Sequence, residues 1–247
     1  EDFIVLTPSV GRNAITTFTL DNRTTEINQG AFRYYEGLKN INLNNCGNLT
    51  SIGNSAFYRC SGLTSISLPS SLESIGSSAF NECWSLTGKL DLSNCTSLTS
   101  IGVQAFEDCS ELTSIDLSNC TNLTSIGSSA FHNCSGLTSI TLPSSLETIG
   151  DSAFYGCSEL TSINLSNCTN LTSIGSSAFN SCSGLTSVTI NQYVFENIDS
   201  WFDSCGYLLD NIDSGETVLV PANLIDDLGL TNSYLDGSSF TRSETAN

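Results

Sequence analysis

Basic residues and histidine are what this chain has least of. Seven Lys and Arg face 25 Asp and Glu over 247 residues, giving a net charge of −18, and there is one His, His132. The shortage of cations argues against nucleic acid and anionic membrane, which both call for a basic face. A single His leaves no Ser-His-acid set with an orienting partner. There is also no Gly-rich phosphate loop and no inward carboxylate pair for acid–base work. Cysteine spacings are too long for a Cys-x-x-Cys zinc knuckle. No catalytic, cofactor-binding or metal-binding residue is therefore assigned. No apolar run is long enough to span a membrane. Neither a signal peptide nor a starting Met is present, so a trimmed mature segment is expected, with its signal or anchor removed.

What the chain has in abundance is repetition. Ser-Ala-Phe-x-x-Cys is complete at Ser55–Cys60, Ser78–Cys83, Ser129–Cys134, Ser152–Cys157 and Ser177–Cys182, and Gln104 replaces Ser in the copy ending at Cys109. The six cysteines are 23, 26, 25, 23 and 25 residues apart. A period in the twenties marks a solenoid. Each full rung has two apolar frames. One is Leu-x-x-Ile-x-Leu-x-x-Cys, as at Leu112, Ile115, Leu117 and Cys120; the other is Leu-x-x-Ile-Gly-x-x-Ala-Phe-x-x-Cys, as at Leu123, Ile126, Gly127, Ala130, Phe131 and Cys134. Two shorter rungs, from Leu63 and Leu137, carry Leu-Pro-Ser-Ser-Leu at 68–72 and 142–146, and the rung from Leu86 has one extra residue near Gly88. An imperfect first rung runs through Ile15, Phe18, Leu20, Ile27, Ala31 and Phe32, with Tyr35 in the Cys place.

Ile-x-Leu alternates inward and outward, which is strand periodicity. Successive strands should pair in parallel. The Ser-Ser-Ala-Phe stretch is too short for a long helix and reads as one helical turn, with Asp151 near its start. The expected architecture is an α/β solenoid, a right-handed superhelix of parallel short strands with short helical turns. Phe should stack on Phe and Cys on Cys, since no rung can bury its apolar face alone. Gly follows Ile at 53, 76, 102, 127, 150 and 175, with Asn28 in the first rung. A positive φ or a very close backbone approach would explain it; mere smallness is the alternative.

The first frame resembles leucine-rich repeats. Leu137 to Cys157, with Pro143, Gly150, Ala153 and Phe154 at fixed places, is similar to the BspA-like (Treponema-type) branch at every fixed position. The likeness covers about 15–184. It implies a surface or secreted protein of host-associated bacteria or parasitic protists, often adhesive.

Seven rungs thus occupy 15–184, between an N-terminal capping segment at 1–14 and a degenerate final repeat with a C-terminal cap at 185–247. Caps are needed because an open repeat edge exposes apolar side chains and unpaired backbone. Phe3–Leu6, Val218–Val220 and Ala222–Leu228 are the expected cap strands and short helix, with the last ten residues frayed. Ten cysteines lie in inward columns and Cys205 in the irregular end; fixed placement in columns and an odd total of eleven point to reduced, buried thiols. Residues 196–236 carry nine acids and no Lys or Arg, and read as a solvated acidic cap rather than a calcium loop.

Outward strand positions such as Thr113, Ser114, Thr138 and Thr141 form a carpet of hydroxyls, poor in the aromatic and Arg anchors of hot spots. Candidate contacts are Tyr58, Arg59, Trp84, Lys89, Asp91, Asp116, Tyr155 and Asn164, with Tyr193–Phe195 and Trp201–Phe202 beyond them. His132 occupies a variable slot and reads as surface. Two functions fit: a monomeric, non-catalytic surface module that contacts a host or cell-surface protein, or a spacer of a larger exported protein.

Overall fold

The computed structural model describes residues 11–20, 22–189 and 217–219. Every rung contributes two short parallel strands, one from each apolar frame. The second frame forms an unbroken seven-stranded ladder, made of Glu26–Ile27, Ser51–Ile52, Ser74–Ile75, Ser100–Ile101, Ser125–Ile126, Thr148–Ile149 and Ser173–Ile174. Ile pairs with Ile at each step. The first frame forms the opposite ladder, in three blocks. These are Thr17–Thr19 with Asn40–Asn42 and Ser65–Ser67; Gly88–Asp91 with Leu112–Asp116 and Ser139–Thr141; and Ser162–Asn164 with Ser187–Thr189 and Thr217–Leu219. The last of these strands lies one residue earlier than Val218–Val220. Phe3–Leu6, Ala222–Leu228, Tyr193–Phe195, Trp201–Phe202, Cys205 and the acidic run fall outside the described residues.

Both block boundaries follow a Leu-Pro-Ser-Ser-Leu rung. In four other rungs the Leu after the strand donates its N–H to the next rung: Leu43 to Ser67, Leu92 to Asp116, Leu117 to Thr141 and Leu165 to Thr189. No such bond joins Leu68 or Leu142 to the rung that follows. The core is correspondingly looser there: Ile66 is only half-buried and Ile140 is 9% exposed, where Ile41 and Ile163 are at 1%. The extra residue near Gly88 is a bulge, with Gly88 at φ 75° and the register shifting between Gly88 and Lys89.

The expected helical turns are absent, and the fold is an all-β solenoid rather than α/β. Among the described residues the one helical element is a 3-10 turn at Arg12–Ala14, ahead of the first rung. The Ser-Ala-Phe segment instead divides its N–H groups between two uses. Ser55, Phe57 and Arg59 donate to Ser77, Ala79 and Asn81 of the next rung, while Ala56, Tyr58 and Cys60 close turns onto residues three back. Half the donors an α-helix needs are thus spent between rungs. Two left-handed residues per rung finish the exclusion, such as Ser55 (φ 55°) and Arg59 (φ 58°), or Ser129 and Asn133. Nor does Asp151 cap a helix; its Oδ1 accepts the N–H of Ser176 in the next rung.

These left-handed positions are not the glycines after Ile. None of those six glycines has a positive φ. What they share is the close approach: a Cβ on Gly127 would lie 2.7 Å from the carbonyl carbon of Gly102 and the nitrogen of Val103. The clash always comes from the preceding rung. Asn28 is tolerated because its strand, Glu26–Ile27, ends the ladder among the described residues.

Inside, Phe32, Phe57, Phe80, Phe106, Phe131, Phe154 and Phe179 form one column with centroids 5.0–5.4 Å apart and ring planes within 11°. The six Phe-x-x-Cys thiols each donate to the Phe carbonyl of the preceding rung, as Cys134 does to Phe106 at 3.2 Å. All ten rung cysteines are buried thiols outside any disulfide. In the proline rungs Ser71 and Ser145 stand in for the first-frame Cys, and their hydroxyls donate to Leu49 and Leu123 carbonyls.

Candidate functional site

A solenoid stacks equivalent positions into columns, so the search for a site becomes a search for a column that varies. The strand face does not qualify. Several of its Thr hydroxyls are spent on the frame: Thr64, Thr138 and Thr186 each donate to a carbonyl of the preceding rung. Asp91, Asp116 and Asn164 are likewise committed. Each accepts the N–H and hydroxyl of the Ser two residues on, Ser93, Ser118 and Ser166, which closes the turn after its strand. These bonds, with Lys89, hold the Asp91 and Asp116 carboxyls below the usual range. Lys89 lies 2.9 Å from Asp116 and 3.2 Å from Asp91, and the two carboxylates push its pKa up. Four of the sequence-predicted contacts thus sit on the strand side and serve local structure.

The variable column is the x-x pair of Phe-x-x-Cys on the opposite side. It reads Arg33-Tyr34, Tyr58-Arg59, Asn81-Glu82, Glu107-Asp108, His132-Asn133, Tyr155-Gly156 and Asn180-Ser181. The flanking backbone bonds are the same from rung to rung, so the pairs are held at regular height while their chemistry changes.

At the N-terminal end this column gathers arginine and tyrosine. The Arg33 guanidinium lies over both Tyr34 and Tyr58, 4.8 and 4.9 Å from the ring centroids. Arg59 lies 5.4 Å from the Tyr58 ring, and Tyr34 meets Tyr58 edge-on at 5.6 Å. Glu82 accepts from the Tyr58 hydroxyl at 2.9 Å and from Arg59 Nε at 2.8 Å. Burial alone would push the Glu82 carboxyl up, but these two donors and the Arg59 charge hold it down. The Tyr58 phenol is raised by burial and by donating to Glu82. Trp84, two residues after Glu82, is 47% exposed.

Further along, Glu107 accepts from Asn81 at 2.8 Å and lies 3.5 Å from His132. Burial raises the Glu107 carboxyl, against the pull of His132 and Asn81. His132 is half-buried rather than a surface residue, because its ring stacks on Tyr155 at 4.9 Å. Tyr58, Arg59 and Tyr155 therefore share one column, with Trp84 close to it in sequence. Arg33, Tyr34, Glu82 and Glu107 were missed. Reading the x-x pairs down the column, rather than each rung along the chain, would have found them.

Burial raises the core thiols, to about 12 at Cys60 and Cys120 and about 11 at Cys95 and Cys168. Among the described residues no three metal-ligating side chains come together, and no helix is long and apolar enough to cross a membrane.

Paired parallel ladders around Leu, Phe and Cys columns define a leucine-rich repeat solenoid. The BspA-type leucine-rich repeat region matches in six copies over residues 11–120 and 88–209, and the chain belongs to that family. Its repeats are structural and interaction modules, and the chain is non-catalytic. The chain is similar to the T. pallidum leucine-rich repeat protein, with 28% identity over 68% of this chain and 77% of that one and a TM-score of 0.59. The pneumococcal vaccine antigen PcpA is 20% identical over 93% and 80% of the two chains, with a TM-score of 0.46. A leucine-rich repeat protein from Eubacterium ventriosum is 18% identical over 85% and 67%, with a TM-score of 0.40. No curated protein matches.

Proposed function

We propose that this chain is a secreted or cell-surface module that contacts another protein, of a host or a neighbouring cell, through the variable column of its Phe-x-x-Cys turns. The observation that carries this reading is the contrast between columns. On the strand face several Thr hydroxyls bond to the preceding rung and Asp91, Asp116 and Asn164 close local turns, while the turn column presents changing pairs on an unchanging backbone. Arg33, Tyr34, Tyr58, Arg59 and Trp84 have the composition of interface anchors. Membership of the BspA-type family supports the surface setting. Individual contacts would be weak, and display in many copies would supply the strength.

A binding screen against extracellular-matrix and cell-surface proteins, at low and physiological salt, tests it. Salt-sensitive binding is expected, because the chain carries a net charge of −18. Substrate turnover abolished by one point substitution would refute the reading. Failure to bind any protein when displayed in many copies would favour a spacer.

A further inference from the structure

Charge along the solenoid is divided. Between Leu90 and Thr189 there are eight Asp or Glu and no Lys or Arg. The arginine–tyrosine cluster of the first and second rungs lies N-terminal to this acidic stretch. Within it, Glu82 is fully engaged: one oxygen takes the Tyr58 hydroxyl and the other takes Arg59 Nε. That pairing neutralises one guanidinium of two. Among the described residues no carboxylate lies in ion-pair contact with Arg33, whose charge is set instead against the faces of Tyr34 and Tyr58. A cation–π contact draws on the charge of a guanidinium without a hydrogen bond from its N–H groups, so the N–H fork stays available to a ligand. A fork of that kind matches a carboxylate with two parallel hydrogen bonds.

We infer that the Arg33–Tyr34–Tyr58–Arg59 cluster is a docking site for an acidic peptide segment of a partner protein, a proposal that rests on the surface-contact reading above. Carboxylates would pair with Arg33 and with the terminal nitrogens of Arg59, and an adjoining apolar side chain would lie on the tyrosines. Two guanidiniums make an island, not a track. A sulfated polysaccharide needs a long run of cations and would meet the acidic rungs on leaving the island. Beyond Leu90 the same acidic rungs repel an acidic segment, so they limit its position as well as its sign.

The test uses the whole chain and a labelled octapeptide of alternating glutamate and tyrosine, with alternating lysine and tyrosine as control, followed by fluorescence anisotropy at two salt concentrations. The glutamate peptide should bind. Arg33→Gln with Arg59→Gln should weaken it at least tenfold at an unchanged unfolding midpoint, and Lys89→Gln should not. In the unaltered protein, the Arg33 and Arg59 Nε–H resonances should shift on titration, which guards against a variant that folds poorly. Equal or tighter binding of the lysine peptide would overturn the assignment, as would an unaffected double variant. Binding of a sulfated oligosaccharide but not the glutamate peptide would overturn it too. If the cluster variant loses a screened protein partner while the glutamate peptide never binds, the surface-contact reading stands and the acidic-peptide assignment falls.

Discussion

Replacing Phe131 by alanine removes a fully buried ring from the middle of the phenylalanine column. Phe131 lies 5.3 Å from Phe106 and 5.4 Å from Phe154, both nearly parallel to it. Truncating a buried Phe costs about 3–5 kcal/mol, because the surroundings close the cavity only in part. Here collapse is opposed from both sides, since neighbouring backbones are pinned by the Phe131–Ala153 and Phe106–Ala130 hydrogen bonds. With a urea dependence of about 2–3 kcal/mol per molar, the midpoint should fall by roughly 1–2 M. Phe179 is the internal control. It has one stacked neighbour among the described residues, Phe154, so Phe179→Ala should cost less. Urea titration followed by circular dichroism reads both variants. A nearest-neighbour stack also predicts that the Phe131 variant loses cooperativity, with the two halves parting company. An unchanged midpoint for Phe131→Ala, or a larger loss for Phe179→Ala, would refute the stacked-column account.

Gly127→Ala should destabilise by about 1–3 kcal/mol, the usual cost of overpacking, because its Cβ would meet backbone of the preceding rung; Asn28→Gly, at the ladder's end, should change the midpoint little. A thiol reagent should label few of the ten rung cysteines in the native protein and nearly all eleven cysteines after unfolding without reductant, with no two-dalton mass losses. The raised thiols also set a pH dependence. Folding holds their protons, so their contribution is complete below the unfolded value near 9 and is lost as pH rises through the folded values of about 11 to 12; unfolding midpoints should fall across that window. Hydrogen exchange should find the Leu68 and Leu142 amides faster than those of Leu43, Leu92, Leu117 and Leu165, which donate to the next rung.

Much of the scaffold was legible in the sequence because each position repeats. Leu, Ile, Ala, Phe and Cys at fixed places announced the columns, and stacked Phe and buried Cys are where they were expected. The Ser-Ala-Phe turn was misread because propensity alone favours a helical turn there. The deciding facts are the N–H groups of Ser55, Phe57 and Arg59, which the next rung claims, and a single rung carries no trace of that demand. The second ladder was missed for a related reason: Ser51–Ile52 is only two residues long, too short for an alternation to be seen. The glycine column was half-legible. Its close approach is real, but the left-handed residues are Ser and the residue before Cys, which sequence preference does not single out. For the site, Tyr58 and Arg59 were visible as breaks in the pattern. Their partners Arg33, Tyr34 and Glu82 come together only when rungs about 25 residues apart are laid side by side.

The most direct test of the central claim is adhesion of beads carrying many copies of the chain to a host-cell monolayer or matrix layer, comparing the unaltered chain with Arg33→Gln/Tyr58→Ala/Arg59→Gln/Trp84→Ala. Bead retention under flow should drop to background for the fourfold variant, while its urea midpoint stays close to that of the unaltered chain and Lys89→Gln retains adhesion. Retention undiminished in a correctly folded fourfold variant would contradict the claim that the turn column is the contact surface.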